Sequence, residues 1–431
     1  MKKNGKKIIF KSFLILSFVL IFTSCGNSIT QKDFLKADGK NLKSNYGKGK
    51  VVNLRGTNAG GYLFQELWMT ATKNTAKIRD ETTIYQYLTE KFGKDKMYEL
   101  IDVYQDAYWS EKDFDNCAEL GMNCIRLPFW YRNLVDENNN YYENAFERID
   151  WFIEEAGKRG IYVILDFHGC PGSQNGSDHS GKDGVNKKEE ASEFFFGENA
   201  PENQALFYKI WEDIAARYEG NPIVAGYDLM NEPYCTYRYN SKLTKNEAEL
   251  HKILWDIYHE AYNRIRKIDK DHLIIMEATW EPVDLPDPKE YGWENVMYEY
   301  HQYTNSDLNN LTGAQIKGMN DKLDKIASAN YNVPSFMGEF CFYYNIDAWD
   351  EGLALLNESG INWTTWTYKT MYSQGNWGIY NQSLAVTSVN LEKSSFEQIK
   401  EAWAMGGDST MNKSLGPVIS KYFKEKTVVA K

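Results

Sequence analysis

Glu232 and Glu339 are the two residues of this chain whose type and setting could together do chemistry. Glu232 stands in Ala225-Gly226-Tyr227-Asp228-Leu229-Met230-Asn231-Glu232-Pro233, and Glu339 in Ser335-Phe336-Met337-Gly338-Glu339-Phe340-Cys341. Each closes a short apolar run that reads as a buried strand. If both strands belong to one parallel barrel, both carboxyls emerge at its C-terminal mouth. Two carboxyls facing one cleft are what cleavage of a glycosidic bond with retention requires. Roughly 5 Å apart, one acts as nucleophile while the other gives and then takes a proton. Glu232 is assigned as acid/base and Glu339 as nucleophile, with Glu232 expected to titrate high and Glu339 low. Either glutamate alone reads more readily as a cap or surface residue, so the pair carries the assignment.

Their neighbours are of fitting kinds. Arg126, in Asn123-Cys124-Ile125-Arg126-Leu127-Pro128, brings a guanidinium into an apolar strand. Beside Glu339 it would keep that carboxylate ionised, with a structural salt bridge as its competing role. Asn231 is placed to bond a sugar 2-hydroxyl. His168 and His301 also close strands and could orient hydroxyls or hold the carboxyls, and Tyr303 could donate to Glu339. Trp366, with Trp363 competing, offers a hydrophobic floor. His168, Asp178, His179 and Asp183 share one segment but match no strong metal-ligand spacing, so no metal and no cofactor is expected.

Eight runs must position these groups: 51–58, 124–130, 162–169, 224–231, 273–280, 296–303, 335–341 and 361–369. Helical spacing lies between them. Phe114, Cys117, Ala118 and Leu120 stop at Gly121, and Phe146, Ile149, Phe152, Ile153 and Ala156 stop before Gly160. Residues 205–218, 248–268, 316–329 and 349–356 follow the same pattern. Repeated strand–helix units imply an α/β fold, a single (β/α)8 TIM barrel with long loops at its C-terminal face. The link after the fifth strand, 281–294, carries three prolines and little helical character. Residues 170–200 and 235–246 are the long loops, and the C-terminus reads as a last helix plus tail.

The chain carries 49 Lys and Arg against 60 Asp and Glu, a net charge of −11, so a nucleic-acid partner is not expected. With 13 Trp and 30 Tyr it has flat rings to spare for sugar faces. Lys2, Lys3, Lys6 and Lys7 precede an apolar stretch, 12–22, too short to anchor across a bilayer. Phe22-Thr23-Ser24-Cys25 then resembles a lipoprotein signal. Residues 1–24 are read as signal peptide, Cys25 as the lipidated residue and only membrane attachment, 25–50 as flexible spacer, and 51–431 as the catalytic domain. Cleavage and free secretion is the alternative. Cys170 and Cys235 could approach each other if they follow neighbouring strands, though a disulfide there is not favoured.

Taken together, Arg126, His168, Asn231-Glu232-Pro233, His301-x-Tyr303, Gly338-Glu339 and Trp366 resemble glycoside hydrolase family 5, a group of retaining (β/α)8 β-glycosidases. The resemblance spans most of 51 to about 381. Leu54-Arg55-Gly56-Thr57-Asn58-Ala59-Gly60-Gly61-Tyr62-Leu63, Glu66-Leu67-Trp68-Met69-Thr70 and His168-Gly169-Cys170-Pro171-Gly172-Ser173-Gln174-Asn175-Gly176 are similar to its exo-β-1,3-glucanase branch. That resemblance implies a role for Glu66 in binding sugar hydroxyls. Tyr62 stands where the branch usually has Trp, Ala59 where Leu is usual, and Phe340-Cys341 where a Trp commonly follows the nucleophile. The implied partner is a neutral β-glucan. The alternatives are an endo-β-1,4-glucanase, a transglycosylase using the same covalent intermediate, and a surface glycan-binding lipoprotein without catalysis.

Overall fold

The computed structural model describes residues 28–184, 191–234, 246–304 and 311–430. Its first elements are not a spacer. A turn at Gln31–Asp33, capped reciprocally by Thr30 and Asp33, leads into β1 (Lys36–Asp38) and β2 (Asn41–Lys43), an antiparallel hairpin that continues onto β3 (Val51–Val52). Leu35 and Leu42 are buried with Leu54, Ile164, Ile275, Met297 and Phe336, the residues that fill the lower barrel. Phe34 stacks on Tyr46 at 4.4 Å and packs against His272 at 4.7 Å. The hairpin is the floor of the barrel, and each leucine it buries contributes about 1.5–3 kcal/mol. Few apolar residues among many Lys, Asn and Gly make this stretch look like a linker; three of them suffice to hold it.

The barrel follows: β4 (Arg55–Asn58), β5 (Cys124–Trp130), β6 (Tyr162–Gly169), β7 (Val224–Asp228), β8 (Leu273–Glu277), β9 (Val296–Tyr303), β10 (Ser335–Cys341) and β11 (Asn362–Thr365). They pair in chain order, all parallel, and β11 closes onto β4. Strand alternation sorts the side chains. In β5, Ile125, Leu127 and Phe129 pack outward among the helices, whereas Cys124 joins the lower interior and Arg126 lies above it. Between β4 and β5 run three helices, Glu81–Phe92, Lys94–Tyr108 and Glu111–Leu120, of which only the last was legible. After β8 the described residues carry short turns, Pro282–Asp284 and Pro288–Glu290, in place of a helix.

The C-terminal part is more than a helix and a tail. The expected last strand divides, so that Lys369 belongs to a small sheet of β12 (Lys369–Thr370), β13 (Tyr380–Gln382) and β14 (Ser409–Met411). Lys369 is fully buried and held by Asp113 at 3.0 Å. The helix Phe396–Ala404 lies between β13 and β14, and the helix Leu415–Phe423 follows β14. The chain then returns to the first barrel strand: Arg55 donates to the Glu425 carbonyl at 2.6 Å, and the Val428 amide to Asn53 Oδ1 at 2.7 Å.

Candidate active site

All eight barrel strands, or the residues just after them, contribute to the site. Parity along β10 would point Glu339 away from the barrel, because Phe336 already faces inward. A register shift between Met337 and Glu339 turns it back, which is what a bulge does. Gly338 makes the bulge possible: a Cβ there would lie 1.6 Å from Glu299 Oε1. Gly338→Ala is therefore expected to destabilise the fold by about 1–3 kcal/mol and to displace Glu339. Urea unfolding alongside a rate assay checks this; a variant of wild-type stability and rate would contradict it.

Beneath Glu339 sits a fully buried cation. Arg126 reaches Glu339 Oε1 at 3.0 Å, Asp166 at 2.9 Å, Asp228 at 2.8 Å and Glu299 at 3.2 Å. It also donates to Asn58 Oδ1 at 3.1 Å and Asn231 Oδ1 at 3.0 Å. The Asn231 oxygen is thereby occupied, leaving its NH2 as the donor for the pocket. Burial pushes the Asp166 and Glu299 carboxyls well above the ordinary range despite Arg126. One guanidinium thus faces carboxyls that are not all ionised together. On its other oxygen Glu339 accepts from Tyr303 at 2.8 Å, as the sequence suggested. Arg126 is both the electrostatic partner of Glu339 and a structural salt bridge.

Glu232 follows β7 with a positive φ of 41°. Its backbone amide donates to Glu277 Oε2 at 2.7 Å, and Asn175 Nδ2 donates to its carbonyl at 3.2 Å. These bonds hold a backbone conformation that a non-glycine residue rarely adopts. The carboxylate is enclosed by donors: His301 Nδ1 at 3.0 Å on Oε1, and His179 Nε2 at 2.9 Å with the Tyr234 hydroxyl at 3.0 Å on Oε2. Burial alone would raise Glu232, but His179 and His301 reverse this and hold it well below its ordinary value. That corrects the expectation of a high-titrating acid. Burial would likewise lower His301, yet Glu277, Glu339 and Glu232 push it up to about 9.

One oxygen of Glu232, one of Glu339 and a nitrogen of His301 lie within 4.8 Å of one another. These three, and Glu277 with Glu299 and His301, are close enough to bind a cation. Both groups are centred on His301, whose own positive charge would oppose one. Among the described residues no such group includes Asp178 or Asp183.

The pocket over the pair measures about 330 Å³. His168 lines it, ring parallel to Trp366 with centroids 5.2 Å apart. Its Nδ1 meets Asp166 at 2.7 Å, while Nε2 is buried with no partner. Burial, reinforced by Arg126, holds His168 well below its ordinary value, so the ring is neutral. A sugar hydroxyl would satisfy that nitrogen. Trp366 is the aromatic wall; Trp363 faces the helices, where its Nε1 donates to Asn357 at 2.9 Å. Glu66 lines the pocket and accepts from Trp68 Nε1 at 2.6 Å; burial, aided by Asp178, pushes it up to about 8.

Sequence reasoning weighed His179 only as a metal ligand, and missed Tyr234 and Glu277 around Glu232 and the wall of Trp68, Trp377 and Tyr343. Trp68 lay inside a quoted motif and was legible; Glu277, the acid ending β8, carried the same strand-end signal as Glu232. Cys170 has a free buried thiol, and its suggested partner Cys235 lies outside the described residues, as does Cys25. A larger cavity, about 700 Å³, is lined by Tyr85, Tyr98, Trp130 and Tyr131 but by neither Glu232 nor Glu339. The chemistry is assigned to the smaller pocket because the paired carboxyls are there.

The family model Cellulase (glycosyl hydrolase family 5) matches residues 68–371. A beta-xylosidase of Phanerodontia chrysosporium is 30% identical over 275 residues, 63% of this chain and 52% of that protein. A glucan 1,3-beta-glucosidase of Blumeria graminis is 28% identical over 258 residues, 58% of this chain and 55% of that protein. The matched regions thus span about half the length of these curated relatives. Among solved structures, an endogalactoceramidase superposes with a TM-score of 0.60 at 17% identity, covering 90% of this chain and 84% of that one. Endo-glycoceramidase II from Rhodococcus sp. gives a TM-score of 0.56 at 18% identity, covering 79% and 77%. At such identity the structures establish the barrel alone.

Proposed function

The chain belongs to glycosyl hydrolase family 5, and on that premise we propose that it is a retaining β-glycosidase of the exo-β-1,3-glucanase type acting on neutral β-glucans. The observation that carries the reading is the spacing of Glu232 and Glu339 oxygens within 4.8 Å. Retaining enzymes need their carboxyls at about 5 Å, whereas inverting ones leave several ångströms more for a water. Glu339, held by Arg126 and Tyr303, attacks the anomeric carbon as Glu232 protonates the leaving oxygen. Water activated by Glu232 then releases the sugar. Asn231 and the free His168 nitrogen bind hydroxyls, and Trp366 forms the wall. A pocket of about 330 Å³, walled by Glu66, Trp68 and Trp377, suits a chain end better than the middle of a chain. The glucan 1,3-beta-glucosidase relative supports the same linkage.

Product analysis on laminarin, lichenan and carboxymethylcellulose, with aryl β-glucoside and β-xyloside alongside, tests the reading. Glucose released from laminarin from the first time point is the expected result. Mixed oligomers from lichenan or carboxymethylcellulose would move the enzyme to the endo class, and turnover confined to the xyloside would change the sugar.

Export and lipidation at Cys25 are part of the proposal. Expressed in a bacterial host, the full chain is expected to partition into detergent, and Cys25→Ser to partition into water. Equal partitioning of the two would overturn the anchor.

A further inference from the structure

We propose that His179 holds the proton that Glu232 delivers, so that the general acid of this site is the His179–Glu232 pair. This rests on the catalytic reading above. Glu232 accepts three hydrogen bonds on its carboxylate and, left to itself, is a base rather than an acid. The acid step needs a proton source within reach. His179 Nε2, on the turn Asp178–Ser180 of the loop after β6, lies 2.9 Å from Glu232 Oε2.

Asn175 makes transfer along that line feasible. Its Oδ1 accepts from the Ser177 amide at 3.0 Å, which turns its NH2 toward the Glu232 carbonyl and toward His179 Nε2, also at 3.0 Å. An N–H aimed at Nε2 opposes a proton there and favours one on Glu232. Tyr234, donating to Oε2, favours the opposite state. Imidazolium with carboxylate is favoured by Tyr234, His301 and Asp178, and imidazole with carboxylic acid by the Asn175 amide. They differ by one proton moved between Nε2 and Oε2, and the charge of the pair is unchanged.

The other titratable groups facing the pair come from several elements. Asp178 lies 3.8 Å from His179 Nδ1, and Glu66 projects from the loop after β4. His168 on β6, Glu277 on β8, His301 on β9 and Glu339 on β10 complete the ring. Burial opposes charge on His179, but Glu232, Asp178 and Glu66 outweigh it and push it up to about 9. The pair therefore keeps its proton through neutral pH.

When substrate enters, the proton passes from Nε2 to Glu232 and on to the glycosidic oxygen as the bond to the anomeric carbon breaks and the bond to Glu339 forms. In the second step water attacks that carbon, Glu339 departs, and the proton lost by the water returns through Glu232 to His179. His179 is thus a positioning residue acting through Glu232.

The test compares wild type with His179→Gln and His179→Asn on two substrates: a laminari-oligosaccharide, whose leaving group needs a proton, and a 2,4-dinitrophenyl β-glucoside, whose leaving group does not. The expected result on the oligosaccharide is an alkaline limb of kcat/KM moved down by about one pH unit or more, with about a tenfold loss at pH 8. The dinitrophenyl rate changes less than about threefold. An unmoved alkaline limb, or an equal loss on both substrates, would overturn the pairing. Imidazole NMR titration of the full chain decides independently of turnover. Glu232→Gln is expected to bring the His179 titration down from near 9 toward that of an ordinary imidazole; no change would overturn the proposal even if no tested glycoside were hydrolysed. Inactive wild type with the coupled titration intact would count against the catalytic reading alone.

Discussion

Glu339→Gln is expected to lower kcat/KM on an aryl β-glucoside by at least about 10⁴-fold, close to 5.5 kcal/mol of lost transition-state stabilisation. The amide has the shape of the carboxylate but cannot attack the anomeric carbon. Its oxygen can still accept from Arg126 NH1, now 3.0 Å from Oε1, and its nitrogen can donate to the Tyr303 hydroxyl. The fold should therefore survive, with denaturant stability within about 1 kcal/mol of wild type. A rate within tenfold of wild type would remove Glu339 from the nucleophile's role. An independent check is covalent: a 2-deoxy-2-fluoro glycoside should trap the wild-type glycosyl-enzyme, and peptide mass mapping should place the sugar on Glu339. Label on Glu277 or Glu299, the nearest alternatives across the site, would reassign the mechanism.

How much of this was legible before the fold was known differs by residue for physical reasons. Most barrel strands announce themselves because they are largely apolar runs that end near a polar residue, and a parallel barrel buries both faces of such a run; Arg55–Asn58 and Asn362–Thr365 are the exceptions. Arg126, His168, Asn231, Tyr303 and Trp366 were found that way, and the structure gathers them around the carboxyls. Choosing Trp366 over Trp363 needed the three-dimensional direction of the chain beyond β11. The protonation of Glu232 was read with the wrong sign because it depends on His179, on a loop, and on His301, 69 positions along the chain. No local pattern joins three such segments. The hairpin beneath the barrel was misread for the opposite reason: its composition is that of a linker, and it is ordered only because the open end of the barrel offers Phe34, Leu35 and Leu42 an apolar seat.

Arg126→Met is expected to cost more stability than other single changes in the site, about 3–5 kcal/mol at neutral pH, a substantial part of the ~5–15 kcal/mol that holds an ordinary domain together. Methionine fills much of the volume, so the loss is electrostatic. The guanidinium makes contacts of 2.8–3.2 Å with Asp166, Asp228, Glu299 and Glu339, all of them at most slightly exposed. Without it these carboxyls can escape mutual repulsion only by taking up protons. The pH dependence then separates this cause from a simple cavity. Asp166 and Glu299 already titrate well above their ordinary values, chiefly through burial, and removing Arg126 raises them further. A group raised on folding contributes stability that is fully present below its unfolded value, near pH 4, and is lost as pH rises through the folded value. The deficit of the variant relative to wild type should therefore shrink as pH falls from about 8 to about 5, because protonation replaces the missing cation. Urea unfolding of both proteins at the two pH values measures it. A deficit independent of pH would mean that Arg126 matters through packing alone, and that the carboxyl layer under Glu339 holds the same protons with and without it.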